Sequence, residues 1–85
     1  MATVTKVKKA GPSISSMWLV TVDGVRVGLV EKFHNSRTDT HPFKAFRYSS
    51  DGGARMIGVS YTKGTAGLNE AVNMILSGKV PDHAI

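Results

Sequence analysis

Nothing in the chain restricts its fold more than the Asp23-Gly24 pair, which sits between two apolar runs at residues 17–22 and 25–30. Both residue types accept positive φ, and a two-residue turn of this kind twists as the flanking strands do, so the stretch reads as a β-hairpin. So short a turn also sets a register. Val22 is expected opposite Val25, Val20 opposite Val27 and Trp18 opposite Leu29, all on one side of the ribbon. The other side then holds Met17, Leu19, Thr21, Arg26, Gly28, Val30 and Lys32. A hairpin alone is marginal in water, so the Trp18 side needs cover from later chain.

The later chain supplies strands and a lid. Residues 43–48 (F-K-A-F-R-Y) and 55–61 (R-M-I-G-V-S-Y) read as strands around the turn S-S-D-G-G. That turn is too long to fix a register. The favoured pattern puts Phe46, Tyr48, Ile57, Val59 and Tyr61 on the core side, and the competing one buries Phe43 and Ala45. From Thr65 or Ala66 to Ser77 a helix is expected, with Leu68, Ala71, Val72, Ile75 and Leu76 on one face. Thr65 is the expected cap, Glu70 lies early enough to suit the dipole, and Gly78 and Lys79 suit its end. The expected fold class is α+β, an antiparallel sheet of three to four strands packed on one C-terminal helix, with the domain spanning residues 17–78.

Residues 1–16 read as a basic N-terminal arm and linker, and 79–85 as a tail. The alternation at Val4 and Val7 is too loose to decide between an edge strand and a free arm. Residues 34–42 have the composition of a loop.

With 85 residues and no cysteine, one small core must form without disulfides or thiolate-bound metal, a size at which dimerisation would help. No apolar stretch approaches the roughly 18 residues of a membrane span, and no signal-peptide pattern follows the first lysines. The expectation is a cytoplasmic protein with no membrane partner.

The formal charge of +5 points towards a polyanion, with solubility alone as the plain alternative. Lys6, Lys8 and Lys9 lie on the arm, while Arg26, Lys32, Arg37, Lys44, Arg47 and Arg55 lie on or beside the sheet. Together these nine are the candidate nucleic-acid contacts. Met17, Leu19 and Val30, clustered around Gly28 on the side away from Trp18, are the candidate protein interface.

Catalytic chemistry is not signalled. The serines lack a nucleophile-elbow context, T-K-G-T-A-G lacks the spacing of a phosphate loop, and the carboxylates are scattered over turns and helix. The chain is therefore expected not to be an enzyme and to need no cofactor. His34, Asp39 and His41 are of metal-ligating type, but on a loop without thiolates the expectation is solvated side chains, and no metal is assigned.

The stretches V-D-G-V-R-V-G, H-P-F-K-A-F-R-Y, A-R-M-I-G-V-S-Y-T-K and N-E-A-V resemble the three-stranded-sheet-plus-helix modules of plant ethylene-response-type DNA-binding domains and phage integrase arm-binding domains. The chain is also similar to small phage accessory proteins, many of which bind a host protein. The first resemblance implies a sheet laid in a DNA major groove, with Arg26, Arg47 and Arg55 at contact positions and lysines on phosphates. Its functional expectation is a nucleic-acid-binding module acting on duplex DNA. The alternative is a modulator of a host protein, acting through an apolar sheet face or strand edge.

Overall fold

Asp23 and Gly24 both adopt positive φ, 51° and 82°, and Val22 pairs with Val25 as the short turn requires. The computed structural model describes residues 1–8, 14–35 and 37–79, and the fold grows outwards from this hairpin. The strands are β1 (Ala2–Val7), β2 (Ile14–Val22), β3 (Val25–Phe33), β4 (Phe43–Tyr48) and β5 (Ala54–Ser60), followed by helix α1 (Gly64–Ser77). They form one antiparallel sheet in the order β1-β2-β3-β4-β5, so every strand pairs with its neighbour in sequence.

The class is α+β as expected, with five strands rather than three to four. The additional strand is β1, whose Ala2–Val7 pair with residues 22 to 17 of β2. The N-terminal ammonium contacts the Asp23 carboxylate, and the Asp23 N–H donates to the Met1 carbonyl at 3.2 Å. The first residues are therefore sheet, and Lys6 lies within a strand, paired with Trp18. Lys9 and most of the expected linker, together with residues 80–85 of the tail, lie outside the described residues.

Three irregularities decide which side each residue takes. In the β2–β3 ladder the pairing slips after Thr21–Arg26, leaving Val27 without a partner, so Val20 pairs with Gly28, Leu19 with Leu29 and Trp18 with Val30. A bulge sets two residues opposite one, and beyond it the side-chain parity is inverted. This corrects the expected register: Leu29 shares a side with Leu19, while Gly28, Val30 and Lys32 pass to the Trp18 side. Ser15 is similarly unpaired between Ile14–Phe33 and Ser16–Lys32, and Ile57 between Gly58–Ala45 and Met56–Phe46.

Helix α1 lies across β3, β4 and β5 on the Trp18 side. Its buried residues are Gly67, Ala71, Val72, Met74 and Ile75, whereas Leu76, expected on this face, is 40% exposed. They pack with Val20, Val30, Phe43 and Ala45, and Trp18, Ile57 and Leu68 close the margin. The Trp18 ring stands 5.9 Å from that of Phe43.

Two glycines let the helix come this close. A Cβ on Gly28 would stand 2.5 Å from the Ile75 side chain and from the Phe46 carbonyl, and one on Gly67 would meet the Phe43 ring at 2.7 Å. The helix N-cap is Lys63 with no side-chain cap, in place of Thr65, and no acid lies in the first turn. Its end is as expected: Gly78, at φ 70°, closes the helix with its N–H donating to the Met74 carbonyl.

The face of β4 follows the competing pattern. Phe43 and Ala45 are buried under α1 at 2% and 0% exposure, so Phe46 and Tyr48 alternate to the other side. Val59 pairs with Lys44 on that other side, and Tyr61 is 62% exposed. Of the five residues expected on the core side, Ile57 alone packs there.

Candidate functional site

Strand alternation and the three bulges fill the sheet side away from α1 with large groups. In register across it stand Thr21 and Arg26, then Leu19, Leu29, Phe46 and Met56, then Met17, Glu31, Lys44 and Val59, then Ile14 and Phe33. Tyr48 follows Phe46 by alternation and borders a depression with Arg26. Tyr61, just past β5, borders another with Phe33, Lys44 and Val59. The open face thus carries Phe33, Phe46 and Tyr48, all half-buried, with Tyr61 at its end.

No described element covers this face, yet parts of it are dry because the side chains pack laterally. Ile14, Met17 and Val59 are 8%, 7% and 8% exposed. The Lys44 ammonium stands over the Phe33 ring at 3.9 Å from its centroid, a cation–π contact. Glu31 lies directly across from Lys44. Partial burial pushes the Glu31 carboxyl above the usual carboxylate range, with Lys44 opposing part of that rise.

The candidate contacts expected on one surface are divided between two. Arg26, paired with Thr21, keeps its place on the side away from Trp18, and Lys44 joins it there. Arg47 and Arg55 pair with each other on the helix side of the sheet, where Arg47 is opposite Gly28. The Arg47 guanidinium reaches the end of α1, 2.9 Å from where a Cβ on Gly78 would stand, and suits the negative pole of the helix. Lys32 also lies on the helix side, 5.4 Å from the Phe43 ring centroid. Arg37 sits in the β3–β4 connection with its N–H on the Asn35 side chain. Three arginines on one groove-facing surface are therefore not present, because phenylalanine at position 43 takes the core place and the Val27 bulge inverts the rest of β3.

The expected interface is corrected by the same inversion. Val30 is fully buried beneath α1 and Met17 is closely covered, which leaves Leu19 as the half-exposed member of the three. Sequence reasoning missed Leu29 and Phe33 as open-face residues, and it reached Phe46 and Tyr48 only through the competing pattern for β4. Gly28 was the available signal, since a glycine inside a strand often marks a bulge or a close backbone approach.

The β3–β4 connection has more order than a loop. Asn35 and Thr40 form a bridge, with the Asn35 N–H on the Thr40 carbonyl at 2.8 Å and the Phe33 N–H on the Pro42 carbonyl at 3.0 Å. His34 and His41 face each other between these bonds, their rings 4.6 Å apart and 9° from parallel. Asp39, at φ 51°, folds its carboxylate back to within 3.1 Å of His34 Nε2. One ligand atom from each of the three lies within 4.8 Å of the others.

No helix among the described residues is long and apolar enough to cross a membrane. Comparison with protein-family models, curated proteins and solved structures returns no match for this chain.

Proposed function

We propose that this protein binds nucleic acid on the open face of its sheet, with exposed bases stacking on Phe46 and Tyr48 and phosphates meeting Arg26 and the Lys44 ammonium that stands over Phe33. The observation that carries this reading is the gathering of rings and cations on the one sheet side that no described element covers. An aromatic face with flanking cations suits unpaired bases, whose π-faces are accessible, better than a duplex whose bases are stacked internally. The arginine distribution supports the same preference, because Arg47 and Arg55 are on the helix side and Arg26 alone of the three is on the open side. The net charge of +5 adds attraction to any polyanion.

Fluorescence anisotropy with a labelled single-stranded oligonucleotide, beside the matching duplex, tests this. Single strands should bind more tightly, with an affinity that falls as salt rises. Phe46→Ala should weaken binding by about 1–3 kcal/mol. Absence of salt-sensitive binding to either probe would overturn the reading.

A second reading, a protein interface on the same face, is favoured by Leu19, Leu29 and the 49%-exposed Met56, which are apolar without being rings. Leu19→Lys should then change the oligomeric state or partner capture, and sizing chromatography of both chains at several concentrations reads the former.

A further inference from the structure

We infer that the tip of the β3–β4 hairpin is a binding site for one divalent transition cation of the Zn2+ class, held by His34, His41 and Asp39. The inference goes beyond the open face and does not depend on it. The strand ladder itself prepares the two imidazoles. His34 and His41 are directly opposed between the Phe33–Pro42 and Asn35–Thr40 hydrogen bonds, the non-hydrogen-bonded type of antiparallel pair, in which side chains stand closest. Their rings consequently share one side of the hairpin at a 4.6 Å centroid distance.

The third donor comes from the turn. With left-handed backbone at Asp39, its solvent-exposed carboxylate lies 3.1 Å from His34 Nε2, which places the acid beside the pair. Donors around a tetrahedral ion at 2.0–2.2 Å lie about 3.3–3.6 Å apart, and the three ligand atoms here lie within 4.8 Å of one another. Binding requires the exposed imidazoles to turn out of their stacked arrangement, because the in-plane lone pairs of two near-parallel rings do not converge on one ion. Two imidazoles and one carboxylate favour a borderline transition ion over the hard, all-oxygen preference of Mg2+. Lys32 and Lys63 border the same depression as Asp39 and His41, so the remaining coordination positions suit water or a small anion.

The test is a titration of the full chain with Zn2+ alone, followed by amide NMR at pH 7.5, with Mg2+ as a separate arm. The expected result is a saturable change of one-to-one stoichiometry centred on His34, Asp39 and His41, with no comparable response to Mg2+. His34→Ala and His41→Ala should each lower the Zn2+ affinity by at least ~10-fold. Both positions are exposed, so the dispersion of the remaining amides should show an intact fold. No saturable Zn2+ response in the unaltered chain would overturn the inference. So would an affinity retained in both variants, as binding elsewhere, for example at His83, would give. An equal response to Mg2+ would also overturn it.

Discussion

The two sides of the sheet are built from the same strands, yet they place their small and large residues differently. Beneath α1 lie Gly28, Ala45 and Gly58 with Val20 and Val30, while the two covered rings, Trp18 and Phe43, stand beside its first turns, where Gly67 makes room for Phe43. The open side carries Leu19, Leu29, Phe33, Phe46, Tyr48 and Met56. The contrast has a mechanical origin. A helix approaches a sheet only as closely as the intervening side chains permit, so glycine and alanine line the strands where α1 comes closest, whereas no described element limits bulk on the open side. Large half-buried groups on a side that no described element covers contribute some stability through lateral packing, and their position also leaves them available to a ligand.

The sharpest way to break this comparison uses one residue type at two places. Phe43 and Phe46 are three positions apart on β4, on opposite sides, the first 2% exposed and the second half-buried. Phe43→Ala should cost about 3–5 kcal/mol in chemical denaturation, the range for emptying a closed core position. Gly28→Ala comes next. The added methyl would press on Ile75 and the Phe46 carbonyl, so a loss of about 1–3 kcal/mol is expected, with the amide signals of α1 shifting most. Phe46→Ala should cost only about 1 kcal/mol of stability while causing the largest loss of oligonucleotide affinity. Equal stability losses at Phe43 and Phe46 would show that the open side is covered in solution.

The smallest effect concerns Glu31. Burial raises its carboxyl pKa, against the pull of Lys44, so folding favours the protonated form. Its favourable contribution is complete below the unfolded pKa and is lost as pH rises through the folded value. Glu31→Gln should therefore be more stable than the parent at pH 7, by less than about 1 kcal/mol because much of the group remains hydrated, and the advantage should vanish near pH 4. Denaturation midpoints of both chains at the two pH values check this sign.

Much of the scaffold was legible in the residues. Asp23-Gly24 located the first hairpin, the spacing of Leu68, Ala71, Val72 and Ile75 located the helix, and Gly78 located its end. Side assignment was less accessible, because alternation carries parity from a turn only as far as the next bulge. The unpaired Val27 therefore displaced Gly28, Val30 and Lys32 from their expected side. On β4 the turn gave no register. The Ser49–Gly53 segment is closed by its own hydrogen bonds, Ser49 N–H to the Gly53 carbonyl and Gly53 N–H to the Asp51 carboxylate, which the residue types suggest without fixing strand alignment. His34, Asp39 and His41 could be named from the sequence as a group of metal-ligating type, but not their approach, because a polar segment between strands has a loop's composition even when the ladder continues into it.

The nearest-neighbour order of the strands also shapes how the molecule assembles. Each ladder closes between segments adjacent in sequence, so pairing can spread strand by strand with little loop entropy lost at any step, a topology associated with rapid folding. Helix α1 follows all five strands, so on a ribosome it would emerge after them. For that interval neither surface of the nascent sheet has the helix over it, and among the described elements α1 then covers one of them. Lys44, Arg26 and Glu31 set charges among the rings of the surface that no described element covers, the kind of placement that disfavours association of unfinished chains.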